Sequence, residues 1–352
     1  NWNYFLGGLM FLSTIFGTFI TRSGVLISVH AFSNGNIGIF LLSGLAIFTL
    51  FFIYTGSRNV QYFATSKKLD NFFGKSGFFI VNNILLFISA LIIFIGTIYP
   101  IFYETFYSRQ LTIGRTFFDI LVGPILLLLL LLMSFSIKLS VANINLSSWF
   151  KKNIVTINAA LIITITISYI YSLGYLGIVT IFGAVTLTLS GLINILPKVK
   201  TRRLSGSYWT GQVAHIGIAV FSIGLILNVT QSYSSEFITT DEGNINFAGN
   251  TYVIDKAYEV SREEKDIINL PITSGSKIKN ASLNIFKNSS QQAISSPAIF
   301  RNIESDTYVT IKFIDNENYK LIFRKNYGIF IMWLGLALTT TSIIPKVRKI
   351  EK

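Results

Sequence analysis

Eight apolar runs, each near the length that crosses a bilayer, decide what this chain can become. A helix rising about 1.5 Å per residue needs roughly 20 residues to cover a hydrocarbon core of about 30 Å. Runs of that order fall at 4–20, 37–55, 78–99, 118–138, 153–171, 174–195, 209–228 and 328–345. The pattern predicts a polytopic α-helical membrane protein of about eight transmembrane helices. Only Ser172-Leu173-Gly174 separates the two runs within 153–195, so that pair is the least sharply divided. With 51% hydrophobic and 13% charged residues, a soluble fold is excluded. No internal repeat is visible.

Lysine and arginine in the short connections set the orientation. On one side lie Arg58, Lys67, Lys68 and Lys75, then Lys138, Lys151 and Lys152, then Lys198, Lys200, Arg202 and Arg203, then Lys346, Arg348, Lys349 and Lys352. The alternate connections carry only Arg22, Arg109 and Arg115. The basic side is expected to face inward, which puts the connection after the first helix outside. The formal net charge of +13 follows from this asymmetry and does not call for nucleic acid.

Residues 229–327 break the apolar pattern: they are polar, rich in Asn and Ser, and roughly balanced in charge. The expected organisation is a seven-helix membrane region over 1–228, an outer β-rich domain over 229–327, and a last helix with a basic inner tail over 328–352. Val309, Ile311 and Phe313 alternate with polar residues, and Tyr319, Leu321 and Phe323 do so again after Asp315-Asn316-Glu317-Asn318, which predicts a β-hairpin. Weaker strands are expected at 251–254 and 282–286, giving a small β-domain of barrel-like form. The stretch 259–266 reads as a short helix or an exposed loop.

The absence of cysteine excludes disulfides, thiolate metal sites and a cysteine nucleophile in this chain, and two histidines exclude an all-histidine metal centre. The chain starts at Asn1 and enters an apolar run without a basic leader, so a signal peptide is not expected. One histidine, His30, sits in Thr21-Arg22-Ser23-Gly24-Val25-Leu26-Ile27-Ser28-Val29-His30-Ala31-Phe32, between two membrane-length runs. Taken alone it reads more readily as an exposed loop residue. Its apolar neighbours Val29 and Phe32 would also suit a haem iron ligand, and Arg22 could either pair with a propionate or snorkel at the helix end. The other, His215, lies inside the seventh run in Trp209-Thr210-Gly211-Gln212-Val213-Ala214-His215-Ile216-Gly217. A polar group there needs a partner. From position alone, a hydrogen bond to a neighbouring helix is the commoner role and haem ligation the rarer one. Gly211, Ala214 and Gly217 would admit a flat group or another helix.

The stretch from Arg22 to Phe32 resembles the RSGVL-SVHAFA signature of CcmF, the haem lyase subunit of the multi-component cytochrome c maturation system. The His-hydrophobe-Gly segment at His215, Asn82-Asn83, Gly96-Thr97, Pro100, Gly114, Phe117-Phe118, Pro124 and the long insert before the last run follow a CcmF-like order, so the resemblance covers nearly the whole chain. It implies that His30 and His215 are axial iron ligands, His30 for the haem awaiting attachment and His215 for a resident intramembrane haem b. No catalytic residue is assigned. It further implies attachment of haem to CxxCH apocytochrome c, with a haem chaperone (CcmE), a thiol-handling subunit (CcmH) and quinol as partners. A location in the bacterial inner membrane or the mitochondrial inner membrane would follow. The alternatives are a haem transporter or exporter, and a non-catalytic scaffold of the maturation complex.

The chain departs from that pattern in one respect. CcmF-like proteins carry a tryptophan-rich haem-handling segment and further histidines upstream, whereas Trp2, Trp149, Trp209 and Trp333 are dispersed here. Each haem would then take its second ligand from elsewhere. The chain is expected to be the C-terminal part of a longer protein, or of a split one with a separate N-terminal CcmF part.

Overall fold

The computed structural model describes residues 2–23, 37–63, 74–109, 111–137, 146–200, 206–239, 242–287, 293–313 and 319–342. Two compact units, Asn1–Leu126 and Leu127–Lys352, make up the chain.

The first unit is built from α1 (Trp2–Arg22), α2 (Ile37–Arg58), the single turn α3 (Val60–Phe63), α4 (Lys75–Tyr107) and the start of α5 (Arg115–Ser136). Aromatic rings join these helices. Tyr4 stacks on Phe52 with ring centroids 4.7 Å apart, its hydroxyl donates to the Phe52 carbonyl at 2.7 Å, and Phe11 meets Phe48 edge-on at 5.2 Å. Phe16 reaches Phe94 of α4 at 5.5 Å, and Phe117 and Phe118 of α5 sit over Gly96, where no Cβ intervenes. Most Thr and Ser hydroxyls of these helices bond back to a carbonyl three or four residues earlier, such as Thr97 to Ile93. That is how a hydroxyl is satisfied in a segment without water.

In the second unit, α5 continues into α6 (Leu146–Tyr171), α7 (Tyr175–Lys200), α8 (Gly206–Gln231) and, after the β-domain, α9 (Ile329–Thr341). Ser172 adopts a left-handed φ of 48° and divides α6 from α7, so the short break does separate two helices. Ser134 of α5 donates to the Gly183 carbonyl of α7 at 2.8 Å, and Ile216 of α8 fills the space over Gly191 of α7. Among the described residues, seven helices (α1, α2 and α4–α8) are long and apolar enough to cross a membrane, and α9 is shorter at 13 residues, about 20 Å. The count of about eight therefore stands, and the chain is a multi-pass membrane protein.

Helices α8 and α9 run antiparallel in close contact. A Cβ at Gly217 would lie 2.7 Å from the Thr339 amide nitrogen and 2.8 Å from the Gly335 carbonyl oxygen; one at Gly224 would lie 2.7 Å from the Met332 nitrogen and 2.8 Å from the Gly328 oxygen. Glycines seven apart on α8 face glycines seven apart on α9, so backbone meets backbone. Gly328, with φ of 74°, makes the turn into α9.

The described residues between these helices form ten strands: β1 (Tyr233–Thr239), β2 (Gly243–Phe247), β3 (Asn250–Ile254), β4 (Tyr258–Ser261), β5 (Lys265–Ser274), β6 (Lys277–Phe286), β7 (Ala293–Ser296), β8 (Ala298–Phe300), β9 (Ser305–Phe313) and β10 (Tyr319–Tyr327). One sheet has the order β1-β10-β9-β8, the other β2-β3-β5-β6-β7 with β4 on β5, and every pairing is antiparallel. Inward residues of both, among them Tyr252, Leu270, Ile311, Leu321 and Phe323, form one core. This is a pair of sheets about a shared core and not a single barrel. The expected hairpin is β9–β10, with its turn outside the described residues, and the weaker strands are β3 and β6.

The reading of 259–266 as helix or loop is overturned. Glu259, Val260 and Ser261 pair with Ile268, Ile267 and Asp266 as a hairpin closed by the Arg262 amide on the Lys265 carbonyl. Strand β4 is exposed on both faces, so its sequence lacks the alternation that marks a half-buried strand, and the ladder to β5 holds it.

Polar side chains fasten the domain to α8, and the end of α8 to the end of α6. Asn228 of α8 donates to the Tyr327 carbonyl at 3.0 Å, the Tyr327 amide donates to Ser232 Oγ at 3.2 Å, and Gln231 donates to the Tyr171 carbonyl at 2.7 Å at the end of α6. Because β1 pairs with β10 directly above α8 and α9, the antiparallel helix pair continues into an antiparallel strand pair.

Candidate functional site

Two places carry the residues that chemistry singles out. The first is the connection between α1 and α2. Arg22 lies in the last turn of α1, exposed, where a cation favours the carbonyl end of the helix. The Ser23 amide donates to the Phe19 carbonyl at 2.8 Å, and Ser23 touches Gly38 at the start of α2. The two helix ends that bound the connection therefore meet. His30, expected as an iron ligand, lies outside the described residues, as does the rest of 24–36.

The second place is His215, half-buried in the middle of α8. Its Nδ1 lies 2.5 Å from the Gly211 carbonyl oxygen one turn back. A carbonyl can only accept, so Nδ1 carries the proton, and in the neutral imidazole Nε2 then holds the lone pair. This is the arrangement of a metal-binding histidine, whose second ring nitrogen is commonly anchored on a backbone carbonyl. The intrahelical bond also gives His215 a polar partner without a second helix, which is how the helix tolerates it.

The surroundings of the ring follow from helix geometry. Gly217, two residues on and roughly 200° around the helix, is occupied by α9. Of the small residues flagged in the sequence, Gly217 thus serves helix packing. Gly211 has no atom within 4 Å of where a Cβ would stand, and Ile218 is 38% exposed. The His215 side of α8 is open next to Gly211, away from α9.

Gln212 went unremarked in the sequence although it shares that turn. It is 8% exposed, and its Oε1 is buried without a hydrogen-bond partner among the described residues. An amide three residues before an intramembrane histidine was the available signal. Among the described residues, no group of three or more His, Cys, Asp or Glu gathers into a metal centre. A single histidine nitrogen is the donor that a group taking one axial ligand from this chain, such as an iron porphyrin, would use.

The fold and these positions define a class: a multi-pass membrane protein with an antiparallel β-domain inserted before its last helix and a histidine, bonded through Nδ1 to its own helix, in one of its long apolar helices. No protein-family profile matches the chain. It is 29% identical over 259 residues to the cytochrome c-type biogenesis protein CycK of Bradyrhizobium diazoefficiens, covering 68% of this chain and 38% of that protein. It is 27% identical over 271 residues to the cytochrome c-type biogenesis protein CcmF of Pseudomonas fluorescens, covering 73% and 40%. Its fold matches a solved structure of cytochrome c haem lyase CcmF with a TM-score of 0.73 at 16% identity, over 98% of this chain and 54% of that one. The chain is thus similar in sequence to CcmF-type cytochrome c biogenesis proteins and in fold to a solved CcmF. The chain spans about two-fifths of the length of the curated relatives it matches.

Proposed function

We propose that this chain is part of a haem lyase that attaches haem to the two cysteines of a CxxCH apocytochrome c. The similarity to CcmF and CycK proteins supports the pathway, and the His215 Nδ1 bond to the Gly211 carbonyl, which leaves Nε2 as the ring's lone-pair nitrogen, is the observation that supports haem handling. The attacking group belongs to the apocytochrome: each cysteine sulfur bonds to one carbon of a vinyl group and the other carbon takes the proton, with no external oxidant or reductant. A chain without cysteine suits that division of labour.

The protein's own part is to hold and orient. His30 is assigned to the iron of the haem awaiting attachment, with Arg22 pairing a propionate through its guanidinium. His215 is assigned to a resident haem b, its ring fixed by the Gly211 carbonyl. Bound there, haem b would supply the one-electron transfer from quinol that keeps the substrate iron reduced. The second ligand of each haem would come from outside this chain. A haem chaperone (CcmE), a thiol-handling subunit (CcmH) and a bacterial inner-membrane location complete the proposal.

The test is maturation of a CxxCH reporter by the full assembly, read by covalent haem staining. His30→Ala should abolish or strongly reduce staining, with added imidazole restoring part of it by occupying the vacated iron position. Arg22→Gln should give a milder loss. Normal maturation with His30→Ala contradicts its assignment.

A further inference from the structure

The turn between β8 and β9 and the first turn of α9 enclose a crevice of about 330 Å³, lined by Arg301, Asn302 and Asp306 from the domain and by Ile329, Phe330 and Trp333 from the helix. Its depth relative to the bilayer follows from strand register. Ser305, the first residue of β9, pairs with Tyr327, the last of β10, and α9 begins two residues later at Ile329. The crevice therefore straddles the level where the chain passes from the folded domain into an apolar helix, which for a membrane-crossing helix is the headgroup layer.

Its two halves differ in chemistry. On the domain side, Arg301 is exposed and forms no ion pair among the described residues. Asp306 is 6% exposed; its Oδ1 accepts the Asn302 backbone N–H at 3.2 Å, while Asn302 Oδ1 accepts the Ile303 N–H at 2.9 Å. These bonds fix both side chains and leave the Asn302 amide to donate and the second Asp306 oxygen to accept. On the helix side, Phe330 and Trp333 are 51% and 66% exposed. Ile303, at the tip of the same turn, is 76% exposed, an apolar residue pointing out of a polar turn beside the membrane boundary.

We infer that this crevice binds the headgroup of a zwitterionic phospholipid with a primary ammonium, of the phosphatidylethanolamine type. The phosphate takes the Arg301 guanidinium and the Asn302 amide, the ammonium donates to Asp306, and the acyl chains run along Phe330 and Trp333. An anionic lipid without the ammonium would set a second negative charge beside Asp306. A quaternary choline has no N–H to give that carboxylate.

The full assembly, reconstituted in vesicles of dioleoyl-phosphatidylethanolamine mixed with equal parts of the phosphatidylglycerol and phosphatidylcholine analogues, tests this by native mass spectrometry of retained lipid. Phosphatidylethanolamine should be retained about tenfold over either competitor, and Arg301→Gln should lower that retention by about the same factor, as expected for loss of a charge-assisted hydrogen bond. Asp306→Asn should erase the preference for ethanolamine over choline. Because Asp306 is buried and braces the turn, the exposed Arg301 variant carries the decision should Asp306→Asn unfold. Soluble phosphoethanolamine should compete poorly, since it lacks the chains that reach Phe330 and Trp333. Equal retention of the three lipids, retention unchanged in Arg301→Gln, or full displacement by phosphoethanolamine overturns the inference.

Discussion

Asp266 illustrates how a single side chain ties the β-domain to pH. The Ser261 hydroxyl donates to its Oδ1 at 2.6 Å and the Lys287 ammonium approaches to 2.9 Å, and these two bonds hold its carboxyl below the usual carboxylate range. A depressed folded-state pKa contributes stability that is present above the unfolded value of about 4 and is lost as pH falls through the folded value. Asp266→Asn should therefore lower the stability of the domain slightly near neutrality and flatten its acid destabilisation below about pH 4, measured by circular dichroism during acid titration. His215 and Gly217 show what the sequence could carry at this level and what it could not. The position of His215 in a membrane helix was readable from hydropathy, but its tautomer depends on a rotamer turned toward its own Gly211 carbonyl. The role of Gly217 depends on α9, which returns more than a hundred residues later. His30, the other histidine of the sequence reading, lies outside the described residues.

The pairing of α8 with α9 is the joint that carries the β-domain, and its glycines make a prediction with a sign. Ala is the better helix former by roughly 1 kcal/mol, so Gly→Ala on an open helix face should be neutral or mildly stabilising. Gly123 on α5 has no atom within 4 Å and should behave so. Gly224→Ala pushes a methyl onto the Met332 nitrogen and the Gly328 oxygen, backbone atoms that cannot rotate away, and should cost about 1–3 kcal/mol. Thermal unfolding of the two variants in detergent checks this: equal midpoints would contradict the backbone contact. Helices were legible because seven of them satisfy bilayer length, and β9–β10 because its residues alternate over a one-sided core. Strand β4 was not, since neither of its faces is buried and its place is dictated by β5. The two-sheet form of the domain was likewise hidden, because alternation reports which residues face a core and not which strands share it.

Seven long apolar helices and a shorter eighth, with lysine and arginine gathered on alternate connections, predict that the loop at 109–114 and the β-domain share one side of the membrane while the end of α2 faces the other. Cysteines introduced at Thr112 and Ser276 should react with an impermeant maleimide from the outer side and one at Ser57 should not; labelling of all three from that side would contradict eight crossings. On this arrangement the polar clamp of Asn228 and Ser232 on Tyr327 fixes the β-domain at the end of the helix that bears His215. The proposed role of this helix is to offer one axial nitrogen to a permanently bound haem. It is tested most directly by the visible spectrum of the purified assembly with His215→Ala. His215→Ala should lose most of the resident b-type haem absorbance at unchanged protein level, and His30→Ala should leave that absorbance intact; a resident haem spectrum and midpoint potential in His215→Ala identical to the parent's would rule out this ligand.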